Sequence, residues 1–247
     1  MSACLRSCNF IKVRMKIINR SPENRCFSAL LTDLDGTLIH SQDAICDAVL
    51  AAFEAVNIHK PSKEDLLNMF GLPVEEMLIR LGGVDRYNTQ LISDFISAYK
   101  EKYPFFMSVG AHLIPNAKET VDRISFLGYP ICLVTSERRK NAEFILQKLE
   151  LSDSIKKIVS RDDVTKFKPD PEPILKAAQK TKQPPEQCVY IGESPFDIKS
   201  GKNAGVFVVA VPSGNWSADS LLDCDPDIMV EDISELLSVF ELSLNKK

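Results

Sequence analysis

The chain contains no run of about 18 apolar residues, so no membrane span is expected. Neither sign of charge dominates. Its 30 Lys and Arg against 34 Asp and Glu leave a formal net charge of −4, which gives no reason to expect nucleic acid or an anionic membrane as partner. There is no Cys-x-x-Cys pair. The 7 cysteines are scattered and odd in number, the pattern of reduced thiols in an intracellular protein. Cys132 and Cys188 fall inside apolar strand-like runs, where a packing role is expected. No internal repeat or low-complexity tract is present, which excludes solenoids and compositional tails. What remains is a chain of 247 residues, 45% hydrophobic and 26% charged. That is enough to bury a sizeable core in one large domain or two modest ones.

The first residues differ from the rest. Arg6, Lys12, Arg14, Lys16, Arg20 and Arg25 are basic, and Glu23 is the only acid before Asp33. Residues 1–26 are therefore expected as a basic N-terminal tail. A cytoplasmic location is expected, with an organelle transit segment as the alternative, or Met15 as the true start.

Beyond the tail, Ser28 to Thr32 reads as a buried strand. Helical spacing follows at Asp43 to Val56, Ser62 to Phe70, Val74 to Leu81 and Tyr87 to Tyr103, the last expected to stop at Pro104. From Pro115 strands and helices alternate. Strands are expected at Ile131 to Thr135, Ile155 to Val159, Cys188 to Ile191, Val206 to Val211 and Ile228 to Val230. Alternation of this kind implies an α/β fold with a parallel sheet and right-handed crossovers. The expected organisation is a Rossmann-like core at 27–42 and 109–247, with an all-helical insertion at 43–108 as a lid.

The densest chemistry lies at Asp33-Leu34-Asp35-Gly36-Thr37. Carboxylates at i and i+2 of a strand point the same way, and repel unless a cation or proton lies between them. One ionised nucleophile and one proton donor beside a hard metal ion would suit that pair. A calcium loop fits less well, because Gly36 is fourth rather than sixth in the loop. An ordinary Asp-Gly turn is the plainer alternative.

Three further stations stand at expected strand ends, where sites in such sheets form. Thr135 and Ser136 offer hydroxyls to phosphate oxygens just before a helix N-terminus. Lys168 stands before the proline-rich Pro169-Asp170-Pro171-Glu172-Pro173, where it would neutralise both a phosphate and a carboxylate nucleophile. Glu193, with Asp197 four residues on, supplies hard oxygen ligands suited to Mg²⁺. Each has a plainer reading: an N-cap, a solvated lysine, a capping acid.

Together and in this order, these stations resemble the four motifs of the haloacid dehalogenase (HAD) superfamily over roughly Ser28 to Phe240. The lid resembles that superfamily's C1 cap. Gly71-Leu72-Pro73, Asp162-Asp163-Val164 and Gly201-Lys202-Asn203-Ala204-Gly205-Val206 are similar to its phosphoglycolate phosphatase and pyrophosphatase branch. The resemblance implies a Mg²⁺-dependent phosphatase acting on a small phosphorylated metabolite through an aspartyl-phosphate on Asp33. Asp35 would serve as acid and base, with Thr135, Ser136 and Lys168 holding the phosphate. Asp33, Asp35, Glu193 and Asp197 would hold the metal. A pyrophosphatase, a β-phosphoglucomutase-like mutase and a non-catalytic phosphate-binding module are the alternatives. A monomer or weak homodimer is expected.

Two positions depart from the pattern. Most relatives carry Gly-Asp where this chain has Gly192-Glu193, and the extra methylene moves the carboxylate by about one carbon–carbon bond. His40 stands near the lid hinge where relatives often have Asp; an exposed loop histidine is its plainer reading. Arg80 is the lid's candidate for a substrate carboxylate or second phosphate, against the plainer reading of a surface helix arginine.

Overall fold

The computed structural model describes residues 15–70 and 72–244. The first fourteen residues, with Arg6, Lys12 and Arg14, and the glycine of the Gly71-Leu72-Pro73 segment lie outside the described residues. A seven-stranded sheet forms the base. Its strands are β1 (Lys16–Ile17), β2 (Ala29–Thr32), β5 (Ile131–Val134), β6 (Lys157–Val159), β7 (Cys188–Gly192), β8 (Phe207–Ala210) and β9 (Ile228–Met229), in the order β1-β9-β8-β7-β2-β5-β6. All pairings are parallel except β1 with β9.

Period-two alternation explains why these residues form a doubly covered sheet. Leu30, Leu133, Val189, Ile191, Phe207 and Val209 face one buried layer. Ala29, Leu31, Cys132, Val134, Tyr190, Val208 and Ala210 face the other. Helices α7 (Glu172–Thr181) and α8 (Pro195–Ala204) cover the second layer through Ile174, Ala177, Ala178 and Ile198. Helices α5 (Ala117–Phe126), α6 (Arg139–Lys148) and α10 (Leu236–Leu244) lie on the first, and the short α9 (Ala218–Leu222) packs beside α8.

The lid consists of α1 (Gln42–Ala55), α2 (Lys63–Leu67), α3 (Val74–Leu81) and α4 (Thr89–Gly110). Helices α1 and α4 pack through an edge-on Phe53–Phe95 contact with ring centroids 5.1 Å apart. Both chain passages between lid and base run through a two-stranded antiparallel ribbon of β3 (Ile39–His40) and β4 (His112–Leu113).

Two expectations need correction. Helix α4 does not stop at Pro104 but continues to Gly110. The proline forfeits one backbone hydrogen bond. In return the continued helix buries Met107. The Lys148 ammonium donates to the carbonyls of Met107, Ser108 and Ala111, capping the helix end.

The basic segment is also not wholly a tail. Lys16–Ile17 extends the sheet, and the Arg20 guanidinium forks onto the fully buried Asp227. Arg20 also donates to the Val206 carbonyl at 2.7 Å and lies over the Phe207 ring. A two-residue strand has too few positions to show a period, which is why the sequence pattern does not reveal it.

Asp227 is sealed from water, so removing its cation leaves an uncompensated buried charge. Arg20→Ala should lower unfolding free energy by about 3 kcal/mol, read as a shifted urea midpoint at unchanged slope. A shift no larger than that of an exposed arginine variant would show that the pair contributes little.

Candidate active site

The parallel register brings three strand ends together. Thr32 of β2 is level with Leu133 of β5 and Ile191 of β7. Asp33, Thr135 and Glu193 therefore emerge at the carboxyl edge of the central strands. The Asp33 amide still donates to the Ile191 carbonyl at 3.0 Å, which fixes where the chain leaves the sheet. Gly36 then turns at φ +80°, and the Leu38 amide donates back to the Leu34 carbonyl at 2.9 Å, closing a tight loop around Asp35.

Lys168 is the hub. Its ammonium donates to Asp33 Oδ1 at 2.7 Å, to Asp197 Oδ1 at 2.7 Å and to the Val134 carbonyl at 3.0 Å. Burial works against its charge, but Asp197 and Asp33 outweigh that and hold its pKa above the ordinary lysine value. Asp197 was expected to be a metal ligand, but both of its oxygens are taken. Oδ1 accepts from Lys168 and from the Tyr190 hydroxyl at 2.6 Å; Oδ2 accepts from the Ser194 amide at 3.1 Å and hydroxyl at 2.6 Å. Its place is behind the lysine, positioning it.

The other carboxylates are short of positive charge. Burial, with Asp197 and Asp35 nearby, raises Asp33 to about 7 even against the pull of Lys168. Burial and then Glu137 raise Asp35 to about 7, while the Ser41 hydroxyl, 2.5 Å from Asp35 Oδ1, lowers it. Burial, with Asp197 and Asp33, pushes Glu193 to about 9. Glu193 Oε2 is buried without a hydrogen-bond partner. An all-oxygen donor set with excess negative charge and an orphaned buried carboxylate oxygen fits a hard divalent cation. Among the described residues no three His, Cys, Asp or Glu side chains already form a metal cage.

A cavity of about 70 Å³ opens over this edge. Asp33, Asp35, Ser136, Lys168 and Glu193 form its floor; Phe70, Leu72, Val74, Met77 and Ile96 of the lid form an apolar roof. Thr135 is buried beneath, its hydroxyl accepting from the Glu137 amide at 3.1 Å. Arg80 does not reach the cavity. It points to solvent and pairs with Glu76 at 3.3 Å. Two arginines stand at the cavity wall, Arg138 and Arg161; Arg161 forks onto Glu75 of the lid at 2.7 and 2.5 Å and lies over the Phe167 ring. A second lid–base contact joins the Tyr99 hydroxyl to the half-buried Glu137 at 3.1 Å. His40 lies away from the cavity, its ring 5.1 Å from His112 across the hinge ribbon; burial and then His112 lower its pKa.

Sequence reasoning missed Tyr190, Glu137, Arg161 and Glu75. Glu137 follows Thr135-Ser136 at the same strand end, so proximity in sequence was a usable signal. Tyr190 reads as one more apolar strand residue, and nothing local marks the Arg161–Glu75 pair.

Comparison with known proteins places this arrangement. The chain matches the family described as haloacid dehalogenase-like hydrolase over residues 30–211. It is 31% identical over 216 residues to "Putative pyrophosphatase PpaX" of Caldanaerobacter subterraneus subsp. tengcongensis, covering 87% of this chain and 94% of the relative. Its fold superposes on "a predicted phosphoglycolate phosphatase" from Haemophilus somnus 129pt with a TM-score of 0.78 at 22% identity, covering 86% of this chain and 97% of the other. A hydrolase from Pseudomonas syringae gives a TM-score of 0.75 at 26% identity, covering 85% and 96%.

The Arg161–Glu75 pair is half-enclosed and bidentate, so it should couple lid to base more strongly than the exposed Arg80–Glu76 pair. Glu75→Ala should speed backbone hydrogen exchange in α3 about 5-fold, a coupling of about 1 kcal/mol. Arg80→Ala should change it by less than half that. Equal effects would show that Glu75 does not latch the lid.

Proposed function

The chain belongs to the haloacid dehalogenase-like hydrolases, and from that premise we propose that it is a Mg²⁺-dependent phosphatase of small phosphomonoesters working through an aspartyl-phosphate on Asp33. The observation that carries this reading is the pair of Asp33 and Asp35 on the floor of a small lidded cavity, with Lys168 bonded to Asp33 at 2.7 Å.

In the first half-reaction an Asp33 carboxylate oxygen attacks phosphorus, and the bond to the leaving oxygen breaks. Asp35 gives its proton to that oxygen. The Ser41 hydroxyl on Asp35 Oδ1 orients the carboxyl so that its other oxygen faces the cavity. Ser136, Thr135 and Lys168 receive the equatorial phosphoryl oxygens as charge shifts onto them. In the second half-reaction water attacks phosphorus of the aspartyl-phosphate while Asp35, now ionised, takes its proton; the bond from phosphorus to the Asp33 oxygen breaks, which frees phosphate and restores the carboxylate. Asp33, the Asp35 carbonyl and Glu193 would hold Mg²⁺, which when bound would neutralise charge between nucleophile and phosphate and favour the ionised form of Asp33. The apolar roof excludes bulk water and limits the substrate to a small metabolite.

Pyrophosphate is the second reading. It is supported by the relative's name and by a cavity that, at about 70 Å³, holds only a few waters' worth of ligand. The described cysteines Cys26, Cys46, Cys132, Cys188 and Cys224 are all free, in keeping with a reducing cytoplasmic setting.

Hydrolysis of an aryl phosphate by the purified protein should require Mg²⁺, stop with a chelator, and fall at least ~10³-fold in Asp33→Asn. Activity that survives either treatment would overturn the reading. Pyrophosphate turned over faster than phosphoglycolate and aryl phosphates at equal concentration would establish the second reading instead.

A further inference from the structure

Glu193 is one methylene longer than the aspartate that this position usually carries in the family, and the structure shows where the extra length goes. The carboxylate fills a slot whose two walls lack side chains. A methyl group placed on Gly36 would lie 2.8 Å from Glu193 Cγ and 2.9 Å from Cδ. One placed on Gly214 would overlap Glu193 Oε2 and Cδ outright. The Ser213 hydroxyl donates to the Gly36 carbonyl at 2.6 Å, so the loop bearing Gly214 is pinned over the Gly36 turn and the slot has a fixed width.

The same slot holds the Gln42 amide. Its Nε2 lies 3.0 Å from the methyl position on Gly36 and 3.1 Å from that on Gly214. Gln42 Nε2 and Glu193 Oε2 are both buried without a hydrogen-bond partner. A buried donor and a buried acceptor beside the same two glycines cost free energy until they meet. Gln42 Nε2 and Glu193 Oε2 both lie within 3.1 Å of the methyl position on Gly214, and Glu193 also lines the catalytic cavity.

We propose that Gln42 and Gly214 form a dedicated seat for the Glu193 carboxylate and, through it, set the protein's affinity for its divalent cation. Gln42 and Gly214 are positioning residues in this scheme; neither touches substrate. The inference rests on Mg²⁺ binding at the site proposed above, but not on the identity of the substrate or on turnover. Gly214→Ala should be tolerated by the fold. Its methyl meets the end of a side chain rather than backbone, so the carboxylate moves and the loop stays.

The test is direct binding of Mg²⁺ by calorimetry, and of Mn²⁺ by the loss of its free-ion EPR signal, with thermal melting as the fold control. Gly214→Ala should weaken binding at least 10-fold. The double variant G214A/E193D should bind within 3-fold of Glu193→Asp alone, because the shorter acid clears the methyl. Gln42→Ala should weaken binding about 5-fold with Glu193 present and leave it unchanged in the Glu193→Asp background.

Wild-type affinity in Gly214→Ala, or equal weakening by Gln42→Ala in both backgrounds, would overturn the seat. If Gly214→Ala did not fold, the Gln42 cycle would decide alone. A wild-type protein that binds neither ion would overturn both the seat and the Mg²⁺ reading. The expected binding pattern in a protein inert toward phosphate esters would uphold the seat and fault only the phosphatase reading.

Discussion

The site depends on one buried ammonium. Lys168 reaches the strand edge in a place with almost no water and survives there charged because Asp33 and Asp197 each stand 2.7 Å away. A lone buried cation would cost several kcal/mol; here the penalty is offset only while both carboxylates stay in place. Asp197 in turn is fixed by the Tyr190 hydroxyl and by its capping box with Ser194 at the start of α8. The chain of contacts runs from strand to helix cap to lysine to Asp33. Asp33 is thus aligned through Lys168 by Asp197, Tyr190 and Ser194, which stand behind the lysine.

Around that hub negative charge exceeds positive, and this imbalance gives the site its character. Asp33, Asp35 and Glu193 are all pushed toward their protonated forms by burial first and then by neighbouring carboxylates, Asp197 for Asp33 and Glu193, and Glu137 for Asp35. On the proposed reading a divalent cation would relieve what Lys168 alone does not. The lid adds the second condition, a small dry volume. It is joined to the base by the hinge ribbon and by polar contacts of Arg161 with Glu75, Tyr99 with Glu137 and Lys148 with the end of α4. Ser41, between the ribbon and α1, bonds Asp35, so the hinge and the acid are one residue apart in their contacts.

Much of this was legible in the sequence because it is local. Two carboxylates at i and i+2 before Gly36 announce a strand end with chemistry, and the alternation after Pro115 announces the parallel sheet. The α/β fold is the one expected, and Asp33, Asp35, Ser136, Lys168 and Glu193 line one cavity. Where local rules were applied too literally they failed. Pro104 was read as a helix stop, yet burial of Met107 and the cap from Lys148 carry α4 onward. Arg80 was offered as a ligand because it is cationic and in the lid, yet its place on α3 turns it to solvent.

By itself the sequence determined the period of each element, the order of the strands' chemical endings, and hence the family and the pair of acids at its centre. Those properties are written in residues a few positions apart. Only the tertiary structure decided who partners whom across long separations. Arg20 meets Asp227, Arg161 meets Glu75, and Lys168 consumes an oxygen of Asp197. It also decided that Glu193, one carbon longer than usual, has a slot between Gly36 and Gly214 to occupy. Close packing is a property of surfaces that meet only after folding, so no local pattern records it.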